Sequence, residues 1–364
     1  MKAKQTSLYL KEKVKAIKVD KKTVSELLDA MANTGFQGRK LGEMVQVWEK
    51  MIRDRRLTIL MGYAASLSTT GQWKIINWLI ENRYIDILVG TGANLSEDIV
   101  EAMGHSYWKG THTADDAALL KTDINRYYDV YGRETDYMEM TEMIGNFYVK
   151  NLKPGYRYSS REIFYLFGNW LWKKGIKSIV ATAAHYKVPV FCPAIVDSPY
   201  GDGGLIAISK GFDLVIDNMK DYTEFMRLGE KIKDSGVIYI GGGVPKDFIQ
   251  LLAVSADLLY PERAIPGRKC EVFQAERKGK KKDLVETYYP HKYALQITTD
   301  APQWGGLSGC TFEEATSWGK EKVGAPKVQC FCDATIALPL VTHALYERVK
   351  TKRKGTDFSF LFKK

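Results

Sequence analysis

Long apolar runs are missing from this sequence: no stretch of its 364 residues approaches the roughly 20 needed to cross a bilayer. The opening segment, Met1 to Lys22, is rich in lysine and lacks the hydrophobic centre of a secretion signal. These absences give the expectation of a cytoplasmic protein with no membrane partner. Cysteine is sparse and odd in number. Cys192, Cys270, Cys310, Cys330 and Cys332 include no C-x-x-C pair, so reduced structural thiols are expected rather than a disulfide framework. Cys330 and Cys332 share one face of a predicted strand. The five histidines are scattered, and the nearest approach to a metal cluster is His105, His112, Asp115 and Asp116. That spacing is looser than zinc sites show, and no metal is expected. No internal repeat and no Pro/Gly-rich linker divides the chain.

What is present can bury a sizeable core: 45% of residues are hydrophobic and 12% aromatic. The net charge of +10, from 53 Lys+Arg against 43 Asp+Glu, raises the question of a nucleic-acid or acidic-protein partner. Much of the excess lies in the N-terminal arm and in Arg277 to Lys282, which has no interleaved aromatic residues to stack bases. A solvated loop is the plainer reading, and no nucleic-acid partner is expected.

From about residue 56 onward, β-branched runs ending in small residues alternate with stretches of helical period, the pattern of a parallel sheet covered by helices. Strands are expected at Leu57 to Met61, Ile85 to Val89, Val188 to Cys192, Leu214 to Ile216, Val237 to Ile240, Ala294 to Thr298 and Val328 to Phe331. Helices are expected around Ile75 to Ile80, from Ser96, and from about Leu338 to Val349. The resulting class is α/β, one main unit with helical additions. Residues 261 to 290, which hold the lysine run, read as an insertion or long loop.

In such a sheet ligands bind beyond the carboxyl ends of the strands. Gly241-Gly242-Gly243 follows Gly236 to Ile240 directly, so backbone there can approach a ligand, although G-x-G-x-x-G spacing is absent and a plain turn would also use glycine. Six strand-end acids, Glu97, Asp197, Asp202, Asp247, Asp300 and Asp333, either cap helices in the usual way or converge on a polyamine, a metal or ribose hydroxyls. Lys320, two residues after Trp318, reads on spacing alone as a surface lysine or as an amine desolvated for nucleophilic attack.

Four segments carry more than this. Thr91-Gly-Ala-Asn94, Ile240-Gly-Gly-Gly-Val244, Glu314-Ala-Thr-Ser-Trp-Gly-Lys320 and Cys332-Asp-Ala-Thr335 resemble, in order, the signatures of the deoxyhypusine synthase family. The likeness runs from about Thr34 to the final helix. It implies a three-layer Rossmann-like NAD-binding fold over residues 34–350, preceded by a basic arm and helix at 1–33 and followed by a tail at 351–364. It also implies a homotetramer with active sites shared across an interface. The implied reaction transfers the 4-aminobutyl group of spermidine through an imine on Lys320 to an acceptor amine.

Position by position, the resemblance puts NAD contacts at Ala65, Ser66, Thr69, Thr91, Gly92, Ala93, Glu97, Asp197, Gly242, Thr299, Asp300, Asp333 and Ala334. It puts spermidine at Asp202, Glu314 and Trp318. The sequence departs from the family where Asp247 replaces a histidine, where Trp304 and Leu307 stand for acids, and where Ala65-Ser66 replaces Ser-Asn. Asp247 could supply a missing substrate acid. The pattern is closest to the deoxyhypusine synthase-like branch of bacteria and some archaea. The acceptor is then a lysine of the hypusine-bearing translation initiation factor or free putrescine; a non-catalytic polyamine-, NAD- or nucleic-acid-binding protein is the reading from another class.

Overall fold

The computed structural model describes residues 10–64, 66–259, 290–306, 308 and 310–362. The expected insertion, except for residue 290, therefore lies outside the described residues, as do Ala65, Leu307, Cys270 and the first nine residues.

The first elements are α1 (Val24–Ala32) and α2 (Phe36–Arg53), followed by β1 (Leu57–Tyr63) and α3 (Trp73–Glu81). β2 (Ile87–Gly90) is followed by α4 (Glu97–Ala102), α5 (Glu134–Asn151), α6 (Ser160–Lys173) and α7 (Ile179–Tyr186). After β3 (Val190–Phe191) come α8 (Pro199–Ser209), α9 (Asn218–Arg227), β4 (Asp234–Ile240) and α10 (Gly243–Ser255). The last elements are β5 (Tyr293–Thr298), α11 (Phe312–Ser317), β6 (Lys327–Phe331) and α12 (Ala334–Arg348).

These six strands form one parallel sheet in the order β6-β5-β4-β1-β2-β3. The order reverses between β1 and β4, which makes a crevice at their carboxyl ends. β1 is buried at every position. Its alternation sends Ile59, Met61 and Tyr63 into one apolar cluster with Met44 and Trp48 of α2, and Leu60 into another with Phe225 and Phe248. Helices thus cover both faces, the α/β three-layer arrangement expected from the sequence.

Three local expectations change. Gly62 does not end β1; it lies inside the strand, where a Cβ would come within 2.9 Å of Tyr239, so glycine there is a packing residue. Val215–Ile216 is a strand, but it pairs with Arg157–Tyr158 in a separate two-stranded ladder instead of joining the main sheet. The final helix starts at Ala334, capped by the Asp333 side chain, which accepts from Thr335 N at 2.7 Å. Pro339 sits inside that helix and cannot donate to the Thr335 carbonyl. Gln72 Nε2 donates to it instead, at 2.7 Å. A side chain 263 positions from Thr335 thus lets the helix run through the proline.

The tail returns to the amino edge of the sheet. Asp86, fully buried, accepts from Ile59 N at 2.8 Å, from Thr356 N at 2.9 Å and from Arg353 Nη1 at 2.6 Å. Arg83 Nη2 donates to the Thr356 carbonyl at 2.9 Å. One carboxylate therefore joins β1, the approach to β2 and the C-terminal segment. Removing one partner of a buried ion pair leaves the other charge uncompensated. Arg353→Ala should lower unfolding free energy by about 3 kcal/mol in urea titration; a change under about 0.5 kcal/mol would show that the pair does not fasten the tail.

Candidate functional site

Loops from all six strands enclose a cavity of about 620 Å³ at the carboxyl edge. Ser66, Thr91, Gly92, Asp197, Gly242, Thr299, Asp300, Asp333 and Ala334 all line it, although they come from six separate loops. Within the chain the β1 loop is tied to the β2 loop: Leu67 N donates to Asn94 Oδ1 at 3.1 Å, and Ser68 Oγ to the Asn94 carbonyl at 2.7 Å.

Gly241 and Gly243 have φ of 72° and 56°, a region glycine adopts without strain. No heavy atom lies within 4 Å of where a Cβ of Gly243 would stand, so bare backbone faces the cavity at the start of α10. Gly242 is fixed by a different constraint. A Cβ there would lie 1.8 Å from Ser308 Cβ. Ser308 in turn donates to Asp300 Oδ2 at 2.5 Å and meets Thr298 Oγ1 at 3.0 Å, which closes the loop after β5 over the glycines. Exposed glycine backbone at a helix start, with carboxylates of Asp197, Asp300 and Asp333 around the same cavity, fits a dinucleotide: N–H groups for phosphate and acceptors for ribose hydroxyls.

Two lysines flank this crevice in different states. Lys246, which the motif reading passed over, is only 3% exposed. Its Nζ donates to Gln296 Oε1 at 2.9 Å and to the Ser308 and Cys310 carbonyls at 3.3 and 2.8 Å. Burial pushes its ammonium below the usual lysine range. A lysine among Pro245, Phe248 and Ile249, buried apolar residues of the same helix, was the available signal. Lys320 lies just beyond α11. Its Nζ donates to Asp247 Oδ1 at 3.0 Å and reaches Gln250 Oε1 at 3.4 Å. Asp247 and Gln250 are one turn apart on α10, so the helix that begins at the glycines also holds Lys320. Trp318 lies alongside, its ring centre 5.6 Å from Nζ, but the indole is 61% exposed. Trp318 therefore forms no dry aromatic wall among the described residues; Lys320, its side chain 13% exposed, is held by the ion pair with Asp247.

The remaining candidates gather elsewhere. Glu97, in the first turn of α4, and Asp202, in the first turn of α8, both act electrostatically on Tyr137 of α5. Glu97 is 7% exposed and Asp202 is exposed. Neither carboxylate contacts Lys320 by a hydrogen bond or ion pair among the described residues. Glu314 is in the first turn of α11, its backbone N–H capped by Thr311 Oγ1 at 3.1 Å. Thr69 is buried beside Ser66, and the Ala93 carbonyl accepts from Glu97 N at 2.9 Å, so both support the loops without lining the cavity. Trp304 is 84% exposed. The loose His105 group disperses: His105 pairs with Glu139 at 3.0 Å, His112 stacks on Tyr128, Asp115 caps a helix and Asp116 binds Arg126.

Comparison with known proteins follows the same lines. A family model described as deoxyhypusine synthase matches residues 26–345. A Methanosarcina mazei protein named "Probable deoxyhypusine synthase 2" is 43% identical over 94% of this chain and 93% of its own length. A "Deoxyhypusine synthase-like protein" of Chlorobaculum parvum is 32% identical over 94% of this chain and 92% of its own. Among solved structures, a candidate deoxyhypusine synthase from Entamoeba histolytica superposes with a TM-score of 0.60 over 93% of this chain and 99% of its own, at 15% identity, a likeness of fold.

The buried acids give the site a pH dependence of defined sign. Desolvation pushes Glu97 up to about 7; it also pushes the neighbouring Asp98 up to about 7, against hydrogen bonds from backbone such as Ile179 N. Between their ordinary values and about 7 the folded chain keeps protons that the unfolded chain releases, so stability falls as pH rises through that window. Glu97→Gln should remove its share of this slope. Unfolding measured at pH 5 and pH 7.5 should show a smaller difference in the variant than in the parent, and an equal difference would refute the assignment.

Proposed function

The chain belongs to the deoxyhypusine synthase family of aminobutyltransferases, and from that premise we propose that it transfers the 4-aminobutyl group of spermidine through an imine on Lys320. The observation that carries this reading is the placement of Lys320 Nζ, 3.0 Å from Asp247 on the helix whose first turn lines the dinucleotide crevice. NAD bound there would accept hydride from the substrate carbon beside the secondary amine and later return it. Ser66, Thr91, Gly92, Asp197, Gly242, Thr299, Asp300, Asp333 and Ala334 would hold it directly, with Thr69, Ala93 and Glu97 supporting them; the Ala65 assignment rests on sequence alone.

The chain's own chemistry centres on Lys320. Before it can attack, Nζ must lose a proton and leave its ion pair with Asp247, which frees that carboxylate for the substrate. Nζ then bonds to the oxidised substrate carbon as that carbon's bond to 1,3-diaminopropane breaks, leaving the aminobutyl group on the enzyme. Asp247, Glu314 and Asp202 supply negative charge for the ammonium ends, and Trp318 a ring face for the methylene chain. Because Glu97 and Asp202 gather around Tyr137 without touching Lys320, a shared site, completed by a second subunit of a homotetramer, is part of this proposal.

The favoured acceptor is a lysine of the hypusine-bearing translation initiation factor. A specific observation supports putrescine as the second reading: Asp247 stands where the family carries a histidine, and a carboxylate there could hold the ammonium of a free diamine.

The test is incubation with NAD and spermidine, borohydride reduction and peptide mapping, with the initiation factor or putrescine offered in parallel arms. A label on Lys320 and release of 1,3-diaminopropane are expected. Lys320→Arg should lower turnover by roughly a thousandfold or more. Labelling elsewhere would overturn the nucleophile, and homospermidine as the sole product would decide the acceptor in favour of putrescine.

A further inference from the structure

Directly behind the Lys320 ion pair lies a buried group that the transfer chemistry does not use. Glu321 is completely buried, and neither carboxyl oxygen has a hydrogen-bond partner among the described residues. It faces inward because the backbone around it is pinned in extended form: His291 N donates to the Lys320 carbonyl at 3.0 Å, and Lys322 N to the His291 carbonyl at 2.9 Å. Alternation along that segment sends the Lys320 side chain to one side and Glu321 to the other.

Gln250 stands between them. Its Oε1 is the second acceptor for Lys320 Nζ, at 3.4 Å, while its Nε2, also buried and unpartnered, faces the Glu321 carboxyl without closing a hydrogen bond to it. The Tyr239 hydroxyl and His291 Nε2 are buried and unpartnered as well. Unsatisfied polar atoms are costly in an interior, and several around one carboxyl next to a nucleophile call for a role.

We propose that Glu321 is a positioning residue for Lys320 and acts through Gln250. By engaging Nε2, the carboxyl fixes which way the amide faces, so that Oε1 stays turned to Nζ when the Lys320–Asp247 pair opens for attack. A free amide could flip and present two N–H donors to an ammonium, which would push Nζ away. The surroundings suit a carboxyl that keeps its proton. Burial drives Glu321 well above the usual carboxylate range, although Lys327, Lys246 and Lys320 all favour its charged form. Burial also pushes His291 down to about 3, so no imidazolium compensates a charge there. A neutral carboxyl offers its carbonyl oxygen to Gln250 and still has a proton to donate, with no unpaired buried charge.

This inference rests on Lys320 being the nucleophile, and the test separates the two. Borohydride trapping of the Lys320 adduct is timed in single-turnover mixtures, alongside the rate at which an amine-selective acylating reagent labels Lys320 across pH. Glu321→Gln, which keeps an acceptor oxygen for Nε2, should trap within about 3-fold of the parent rate. Glu321→Leu should slow trapping roughly 10- to 100-fold and alter the pH profile of labelling, with KM for spermidine little changed. In a Gln250→Ala background the further substitution Glu321→Leu should have almost no added effect, since both act through one contact. Equal trapping by the parent and Glu321→Leu, or full additivity in the double variant, would overturn the proposal. Should Glu321→Leu not fold, Gln250→Ala alone decides: it must slow trapping to a similar degree, and unchanged trapping rejects the role. Absence of any Lys320 adduct in the parent would instead defeat the underlying assignment of the nucleophile.

Discussion

The parallel ladder between β1 and β4 is the constraint on which the rest depends. It aligns Leu57 with Asp234 through to Tyr63 with Ile240, joining segments far apart in sequence without a slipped position. Because the strand order reverses across this pair, the loops after both strands diverge and leave a crevice. The glycines after β4 and the serine-rich turn after β1 face each other across it. A one-residue slip of β1 would exchange its two faces, pushing Leu60 into the cluster now built from Ile59 and Met61. Register here therefore sets both the core and the geometry of the cavity.

The same ladder explains how one helix serves two tasks. α10 begins at Gly243, where backbone is bare toward the cavity, and one turn later presents Asp247 and then Gln250 to Lys320. Lys246, just before them, points inward and holds the loop at Ser308 and Cys310. The cavity lining, the loop closure and the hold on Lys320 are thus three faces of a single helical segment. A rotation of that helix would disturb all three together.

Legibility in the sequence followed the range of the physics involved. Strand positions could be read because β-branched runs buried on both faces are a local signal, and the glycines and acids at their ends showed which edge carries the site. Gly62 was misread because its role is a close approach to Tyr239, a long-range contact. The start of the last helix at Ala334 was missed for the same reason, since Pro339 inside it is compensated by Gln72. Lys320 could not be told from a surface lysine by its neighbours alone, and only the likeness of whole segments singled it out. Glu321 gave no signal: an acid beside a lysine near a turn is ordinary, and its burial is visible only once His291 is seen to pin the strand.

The fastening of the tail at Asp86 bears on how the chain comes into being. Asp86 is synthesised 267 residues before Arg353, its shortest ion-pair partner. Until that arginine is made, the carboxylate has, among the described residues, only Arg83, at 3.7 Å, as a counter-charge and lacks its shortest ion pair. β1 must likewise wait for β4, whose pairing spans most of the domain. Growth from the N-terminus alone therefore cannot complete the sheet, and Arg353 and Thr356 act as a latch that can close only after all six strands have been made.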